Sequence, residues 1–306
     1  MSKTLNASAA VNTRQINFQS SWVNDAEFMG YFVALHEQYY RQQKITMDYF
    51  PGGPNIIPET LLLTGKAHIA LTTIETAVKI ISQHHAPFRI IGTQYQRNPI
   101  GILSRADNPV RSFQELAGKT LAVPPTNMLA VHALMRLNKL TRKDVRIIPY
   151  TYDPTPLINK EIDASVDFIV NVAHVLTTKG VTPVSFLLCD YGYPSFNDTL
   201  VVSEHTLKNR RNDVIQWLRA SRQGWEKNFK DPTFYPPLFA HSWFKGTGRS
   251  INHETFFNIQ QKPLIEHPNG IFHMTKEDIE ENISALRNMN IQAKTSMFDT
   301  SLLKEI

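Results

Sequence analysis

Strand-sized apolar runs alternate with helix-sized periodic segments along most of this 306-residue chain. That alternation restricts it to an α/β fold with a largely parallel sheet. The spacing predicts a strand over 16–19 and a helix over 26–43, where Phe28, Tyr31, Phe32, Leu35 and Tyr39 recur at three- and four-residue steps. A strand over 45–50 is stopped by Pro51-Gly52-Gly53-Pro54. A short helix over 58–64, a strand over 68–71, a helix over 75–83 and strands over 88–92 and 100–104 follow.

The pattern then restarts. Strands are expected over 120–123, 145–150, 165–170, 184–189 and 199–203, with helices over 112–116, 127–137, 156–160 and 172–178 between them. Leu63-Thr64-Gly65-Lys66-Ala67-His68-Ile69-Ala70-Leu71 is echoed by Ile158-Asn159-Lys160-Glu161-Ile162-Asp163-Ala164-Ser165-Val166. Each is a helix end, a Lys-bearing turn and an apolar strand, which suggests two similar lobes. The expected division is 15–104 plus 204–306 for a discontinuous first lobe and 105–203 for the second, with crossovers near 104–108 and 202–204. Helices over 207–229, 254–260 and 276–289 would return to the first lobe, and 291–306 reads as a short helix or tail.

Composition removes several classes. Hydrophobic residues are 42% and charged residues 19%, close enough to globular averages of roughly 45–50% and about 25% to exclude wholesale disorder and long coiled coils. No apolar run approaches the roughly 18 residues a membrane-spanning helix needs. The net charge of +5 is a weak excess over this length. Basic residues cluster only at Lys208-Asn209-Arg210-Arg211 and Arg142-Lys143, and without a basic stripe no nucleic-acid partner is expected. The single cysteine, Cys189, excludes an intrachain disulfide and a Cys-rich zinc site; at the end of an apolar run it reads as a buried strand residue. Residues 1–15 are polar and lack the apolar core of a secretory signal. Either the protein is cytoplasmic, or a signal or anchor ahead of Met1 was removed and it is periplasmic or membrane-anchored.

Common catalytic signatures are missing: no G-x-S-x-G elbow, no G-x-x-x-x-G-K-[ST] phosphate loop, no H-E-x-x-H and no G-x-G-x-x-G after a strand. His84 and His85 are adjacent, so they point apart on a helix and cannot chelate one metal. No metal site is expected. What remains is a ligand cleft, since open α/β sheets bind beyond the carboxyl ends of their strands. Trp22 and Asn24 follow the first strand, Gly52 and Gly53 the second, Thr73 and Glu75 the third, Arg97 and Asn98 the fourth. In the second half Thr126, Asn127, Asn171, Tyr191, Tyr193, Phe196 and Asp198 fall at equivalent places. Trp22 is either a core aromatic or a stacking platform for a flat ring. Gly52 and Gly53 either shape a turn or admit a ligand to the backbone. Thr126 and Asn127 either cap a helix or hold an anion. The aromatic loop 191–198 has the composition of a binding loop.

These residues resemble a known family. Ser21-Trp22-Val23-Asn24-Asp25-Ala26-Glu27-Phe28-Met29-Gly30-Tyr31-Phe32-Val33-Ala34, Pro51-Gly52-Gly53-Pro54-Asn55, Leu63-Thr64-Gly65-Lys66-Ala67-His68-Ile69-Ala70 and Phe113-Gln114-Glu115-Leu116-Ala117-Gly118-Lys119-Thr120 are similar to segments of ABC-transporter solute-binding proteins of the thiamine-pyrimidine synthase-like superfamily. The resemblance covers about residues 16–230. It implies a periplasmic-binding-protein-like fold of two α/β lobes hinged by two crossovers, closing on a small molecule: relatives bind thiamine pyrimidines, riboflavin or aliphatic sulfonates, and the form of the first helix here implies a small aromatic heterocycle, foremost a thiamine pyrimidine precursor. It also implies an ABC permease and ATPase as partners, a monomer and no cofactor. The sequence departs from the family at His68 and Ala70, where Asp and Gly are usual. The fungal members are synthases that use pyridoxal phosphate, a strand-end lysine, a helical histidine and a Cys-rich loop. Here those positions fall on Thr72-Thr73, Ala77 and Tyr193-Pro194-Ser195-Phe196-Asn197, so the resemblance implies the binding protein, with the cytoplasmic synthase as the alternative.

Overall fold

A computed structural model describes residues 13–306; most of the N-terminal segment discussed above lies outside the described residues. In chain order the elements are β1 (Arg14–Gln19), α1 (Met29–His36), α2 (Tyr39–Gln42), β2 (Ile45–Phe50), α3 (Pro58–Leu63), β3 (Ile69–Thr72), α4 (Ile74–Gln83), β4 (Phe88–Tyr95) and β5 (Ile100–Arg105). There follow β6 (Thr120–Val123), α5 (Met128–Leu137), β7 (Arg146–Pro149), α6 (Thr155–Ile158), β8 (Ala164–Phe168), α7 (Ile169–Thr178), β9 (Pro183–Leu187) and β10 (Asn197–Ser203). The C-terminal helices are α8 (Glu204–Lys230), α9 (Tyr235–Leu238), α10 (Ile251–Ile265) and α11 (Lys276–Asn288). None of the helices is long and apolar enough to cross a membrane, among the described residues.

The strands form two five-stranded sheets, β2-β1-β3-β10-β4 and β7-β6-β8-β5-β9. Position by position the sheets correspond, and the echo between 63–71 and 158–166 is the α3–β3 and α6–β8 connection, each feeding the central strand. Gly65 and Lys160 occupy the same turn position with φ of 69° and 66°. Each sheet is mixed: β10 runs antiparallel to β3 and β4, and β5 antiparallel to β8 and β9.

This pairing corrects both expected lobe boundaries. β5, assigned from sequence to the first lobe, belongs to the second sheet, and β10, assigned to the second, completes the first. The crossovers are therefore residues 96–99 and 188–196. Neither strand's apolar run states which sheet it joins, because sheet membership is a long-range choice.

The expected helix over 26–43 is broken in two. Asp25 caps a 3-10 turn, Ala26–Phe28, by accepting from the Glu27 N–H at 2.9 Å. α1 ends at His36, and Gln38 takes a left-handed conformation (φ 60°) before α2. α1 lies under α8, and the two backbones approach so closely that a Cβ on Gly224 would sit 2.1 Å from the Gly30 carbonyl oxygen. Around this crossing Phe18, Tyr31 and Trp217 pack with ring centroids 4.6–5.7 Å apart. Each is fully buried, worth roughly 1.5–3 kcal/mol apiece.

α10 touches both lobes. Its Glu254 accepts from the Ala26 N–H at 2.8 Å, and its Gln261 donates to the Ala26 carbonyl at 2.6 Å. On its other side His253 Nε2 meets Asn171 Oδ1 at 2.5 Å, and Phe257 packs on Phe168 with centroids 5.8 Å apart. Cys189 is not a strand residue: β9 stops at Leu187, and the half-buried thiol lies in the 3-10 turn Leu188–Tyr191. Burial and the Asp190 carboxylate push it up to about 11, so it is a poor nucleophile at neutral pH.

Candidate functional site

The cleft lies where the carboxyl ends of β1, β2, β3 and β4 and the start of β10 meet the corresponding edge of the second sheet. The short 96–99 crossover joins these edges directly, so they face each other. Within the first sheet β3 and β10 separate β1 from β4. The chain leaving β1 therefore crosses above β3, and Ser21 reaches Asp198 at the start of β10, where its hydroxyl donates to Oδ1 at 2.9 Å.

Asp198 is 2% exposed and Glu27 8% exposed. Gln94, at the end of β4, donates from Nε2 to Asp198 Oδ2 at 3.2 Å and to the Glu27 carbonyl at 2.8 Å, while its own Oε1 has no partner. Directly behind lie Asp25 and Glu254, with Arg249 2.5 Å from Asp25 and 3.9 Å from Glu254. Arg249 thus serves two of these four carboxyls directly. Burial pushes all four up, and repulsion from neighbouring carboxylates adds to it at three of them: Asp198 to about 6, Glu254 to about 7, and Glu27 well above the usual carboxylate range. Burial and the neighbouring Asp198 favour the protonated form of Glu27. The pair can therefore both accept and donate a hydrogen bond to whatever enters.

The rim is apolar. Trp22 is 41% exposed, and Val23, Phe50, Ile56 and Ile57 are exposed around it. Across the cleft, Leu129 and Tyr152 are exposed on the second lobe, and the Tyr152 hydroxyl lies 3.2 Å from Thr126 Oγ1. Trp22 follows Ser21, whose hydroxyl reaches Asp198, and two residues on Asn24 has a buried Oδ1 with no partner. Thr126 and Asn127 lie on the opposite lip; Asn127 begins α5 without a side-chain cap, so the capping role expected for it is not found.

Other expected residues act on the hinge. Tyr193 is buried and donates its hydroxyl to Glu75 Oε1, tying the second crossover to the start of α4. Glu75 is pushed up by burial, and its Oε2 has no partner. Arg97, on the first crossover, pairs with Asp190 on the second at 2.6 Å. Asn98 is buried and its Oδ1 accepts from the Ile100 N–H. Asn171 holds His253 of α10. Thr73 is exposed and caps α4 by accepting from the Thr76 N–H.

Four expected residues are packing residues in this structure. Gly52 lacks a Cβ because Ser20 and Ser21 backbone atoms lie 2.5–2.6 Å from where it would be; the neighbouring chain, not a ligand, uses the space. Gly53 is buried beside it with φ 148°. Tyr191 packs between Phe113 and Phe186, with centroids 5.6 and 4.9 Å away. Phe196 is 1% exposed and borders a cavity of about 230 Å³ behind the hinge, away from the cleft.

Sequence reasoning missed Glu27, Gln94, Glu254 and Arg249. Glu27 carried a signal: it is an acid on the buried side of an apolar helix start. Arg249 and Glu254 carried none, since they reach the site from a distant segment.

Pyridoxal phosphate does not fit these residues. β3 ends at Thr72 and Thr73, Lys79 lies further along α4, and His84 and His85 end that helix. The loop 192–196 holds no thiol. Nothing at the strand end offers the amine that cofactor requires.

Two α/β lobes joined by two crossovers define the periplasmic-binding-protein fold. The aliphatic sulphonate binding protein SsuA of Escherichia coli superposes with a TM-score of 0.69 over 94% of this chain and 91% of its own, at 13% identity. A Candida albicans protein described as having the generic periplasmic binding protein fold superposes with a TM-score of 0.61 at 11% identity, over 95% of this chain and 94% of its own. Residues 25–234 match the NMT1/THI5-like family, and the chain belongs to it. Riboflavin-binding protein RibY of Chloroflexus aurantiacus is 22% identical over 224 residues, 72% of this chain and 64% of that protein. The chain thus spans less than two thirds of that relative's length.

Proposed function

We propose that this protein is a solute-binding protein that captures a small, flat nitrogen heterocycle by hinge closure, for import by an ABC permease and ATPase outside the cytoplasm. A thiamine pyrimidine precursor is the specific ligand proposed, with no cofactor and a monomeric protein. The observation that carries this reading is the buried pair Glu27 and Asp198 at the cleft edge, beside exposed Trp22. A ring stacks on the indole face, and the N–H groups of an aminopyrimidine edge donate to carboxylate oxygens, a charge-assisted match.

The same carboxyls disfavour an anion. Arg97 and Arg249 are each paired with a carboxylate, so a sulfonate would meet negative groups with no free cation among the cleft residues named above. The name of RibY, a riboflavin-binding relative, supports a heterocycle over a sulfonate, and riboflavin is the second ligand to test. The synthase alternative is disfavoured by the missing strand-end lysine.

The test is a thermal-shift series with hydroxymethylpyrimidine, formylaminopyrimidine, riboflavin and an alkyl sulfonate. A ligand at 100 times its Kd stabilises by about 2.7 kcal/mol, which is read as a shift of several degrees. A shift with a pyrimidine, lost in Asp198→Asn, supports the reading. A shift with the sulfonate alone overturns it.

A further inference from the structure

The two lobes carry the same turn with one chemical difference, and that difference leaves a hydrogen-bond donor facing another donor. In the second lobe Asp163 precedes β8. One of its oxygens accepts from the Thr120 N–H of β6 at 2.7 Å, and the other accepts from the Asn108 side chain at 2.6 Å. In the first lobe His68 stands at the equivalent place before β3. Its Nδ1 accepts from the Asn17 N–H of β1 at 2.9 Å, the same bond in the same register.

The second contact has no counterpart acceptor. His68 Nε2 lies 2.7 Å from Arg210 Nη1. A neutral imidazole has one lone pair; with Nδ1 accepting, Nε2 carries the proton. Arginine only donates. Burial and the nearby guanidinium hold His68 below its usual range, consistent with the neutral ring. Arg210 Nε and Nη2 are already engaged by Asp213 at 3.1 Å, and Nη2 also by the Gln15 carbonyl. Nη1 is the group left over. Arg210 is also where α8 departs from helical geometry (φ −136°, ψ 22°).

His68 and Arg210 border a cavity of about 390 Å³ at the edge of the first sheet opposite the cleft. Ser203, His205 and Thr206, from the start of α8, line it with them. The charged groups nearby are Arg210 and Arg14, which share Asp213, and Arg89, which pairs with Glu204. Among the described residues, one arginine in these pairings is therefore in excess.

We propose that this cavity binds a tetrahedral oxyanion, inorganic phosphate or sulfate, which accepts from both His68 Nε2–H and Arg210 Nη1 on the cavity wall. The anion supplies the one acceptor that His68 cannot, the role the second Asp163 oxygen plays toward Asn108 in the other lobe, and it neutralises the surplus charge. The site is separate from the cleft and does not depend on what the cleft binds.

The experiment compares the melting temperature of the full chain in potassium phosphate, potassium sulfate and potassium chloride at matched ionic strength and pH 7.5. The expected result is a rise of about 2–4 °C in one or both oxyanions over chloride, with the larger rise naming the preferred ion. His68→Asp provides the second acceptor internally. It should melt higher than the parent protein in chloride and lose the oxyanion response. Arg210→Gln should also lose the response. Equal melting in all three salts, or a response that survives in His68→Asp, overturns the proposal.

Discussion

Ser21 and Asp198, 177 residues apart, are joined by a 2.9 Å hydrogen bond that ties the turn after β1 to the antiparallel strand β10. The bond places a carboxyl pushed up to about 6 at the edge of the cleft. In the unfolded chain an aspartate titrates near 3.9. The folded protein therefore binds more protons between those values, and this contribution to stability is present below about pH 4 and lost as the pH rises through 6. His253, which burial and Arg249 push down to about 4, works in the opposite sense. The contrast is accordingly between variants: from pH 5 to pH 8 the wild type should lose more stability than Asp198→Asn, whose side chain stays neutral. Parallel melting curves against pH would remove Asp198 as the titrating group.

Trp22→Ala should weaken ligand binding by about 1–3 kcal/mol, as loss of a stacking anchor does. Because the side chain is 41% exposed, unfolding midpoints should barely move. Titration calorimetry with the ligand found by thermal shift separates the two effects. An unchanged Kd would exclude Trp22 from the site.

Gly224→Ala should destabilise the protein by about 3 kcal/mol or more, at the upper end for overpacking. The added carbon would fall 2.1 Å from the Gly30 carbonyl and 2.6 Å from Ala34 Cβ, and backbone on one helix cannot yield without moving the other. Urea unfolding measures it; a loss below about 1 kcal/mol would mean that α1 and α8 separate easily.

Arg97→Ala removes the Arg97–Asp190 pair between the crossovers. Both partners are half exposed, so stability should change by no more than about 1 kcal/mol. The effect should appear in the relative position of the lobes: small-angle scattering of the ligand-free variant should give a different radius of gyration from the wild type. Identical curves would show that the pair does not hold the hinge.

The fold was legible in the sequence because its elements are local. The strand over 45–50 and the turn at Pro51 fall where the residues put them. The lobe boundaries were not legible, since β5 and β10 are short apolar strands whose partners lie far along the chain. For the site, Trp22, Asn24 and Asp198 could be named as candidates because a strand end is a place that sequence can locate. Tyr191 and Phe196 misled for a related reason: an aromatic loop has the composition of a binding surface and of a packed one alike. Arg249 and Glu254 were invisible because their position depends on the start of α10 reaching back to the 3-10 turn Ala26–Phe28.

The order of the strands has a consequence for synthesis. β10 lies between β3 and β4 and pairs with both, yet the whole second sheet is encoded before it. A growing chain that has delivered β1 to β4 holds a sheet with a gap, and that gap persists until residue 203 has left the ribosome. The half translated later can close first, and the half translated earlier must wait for it.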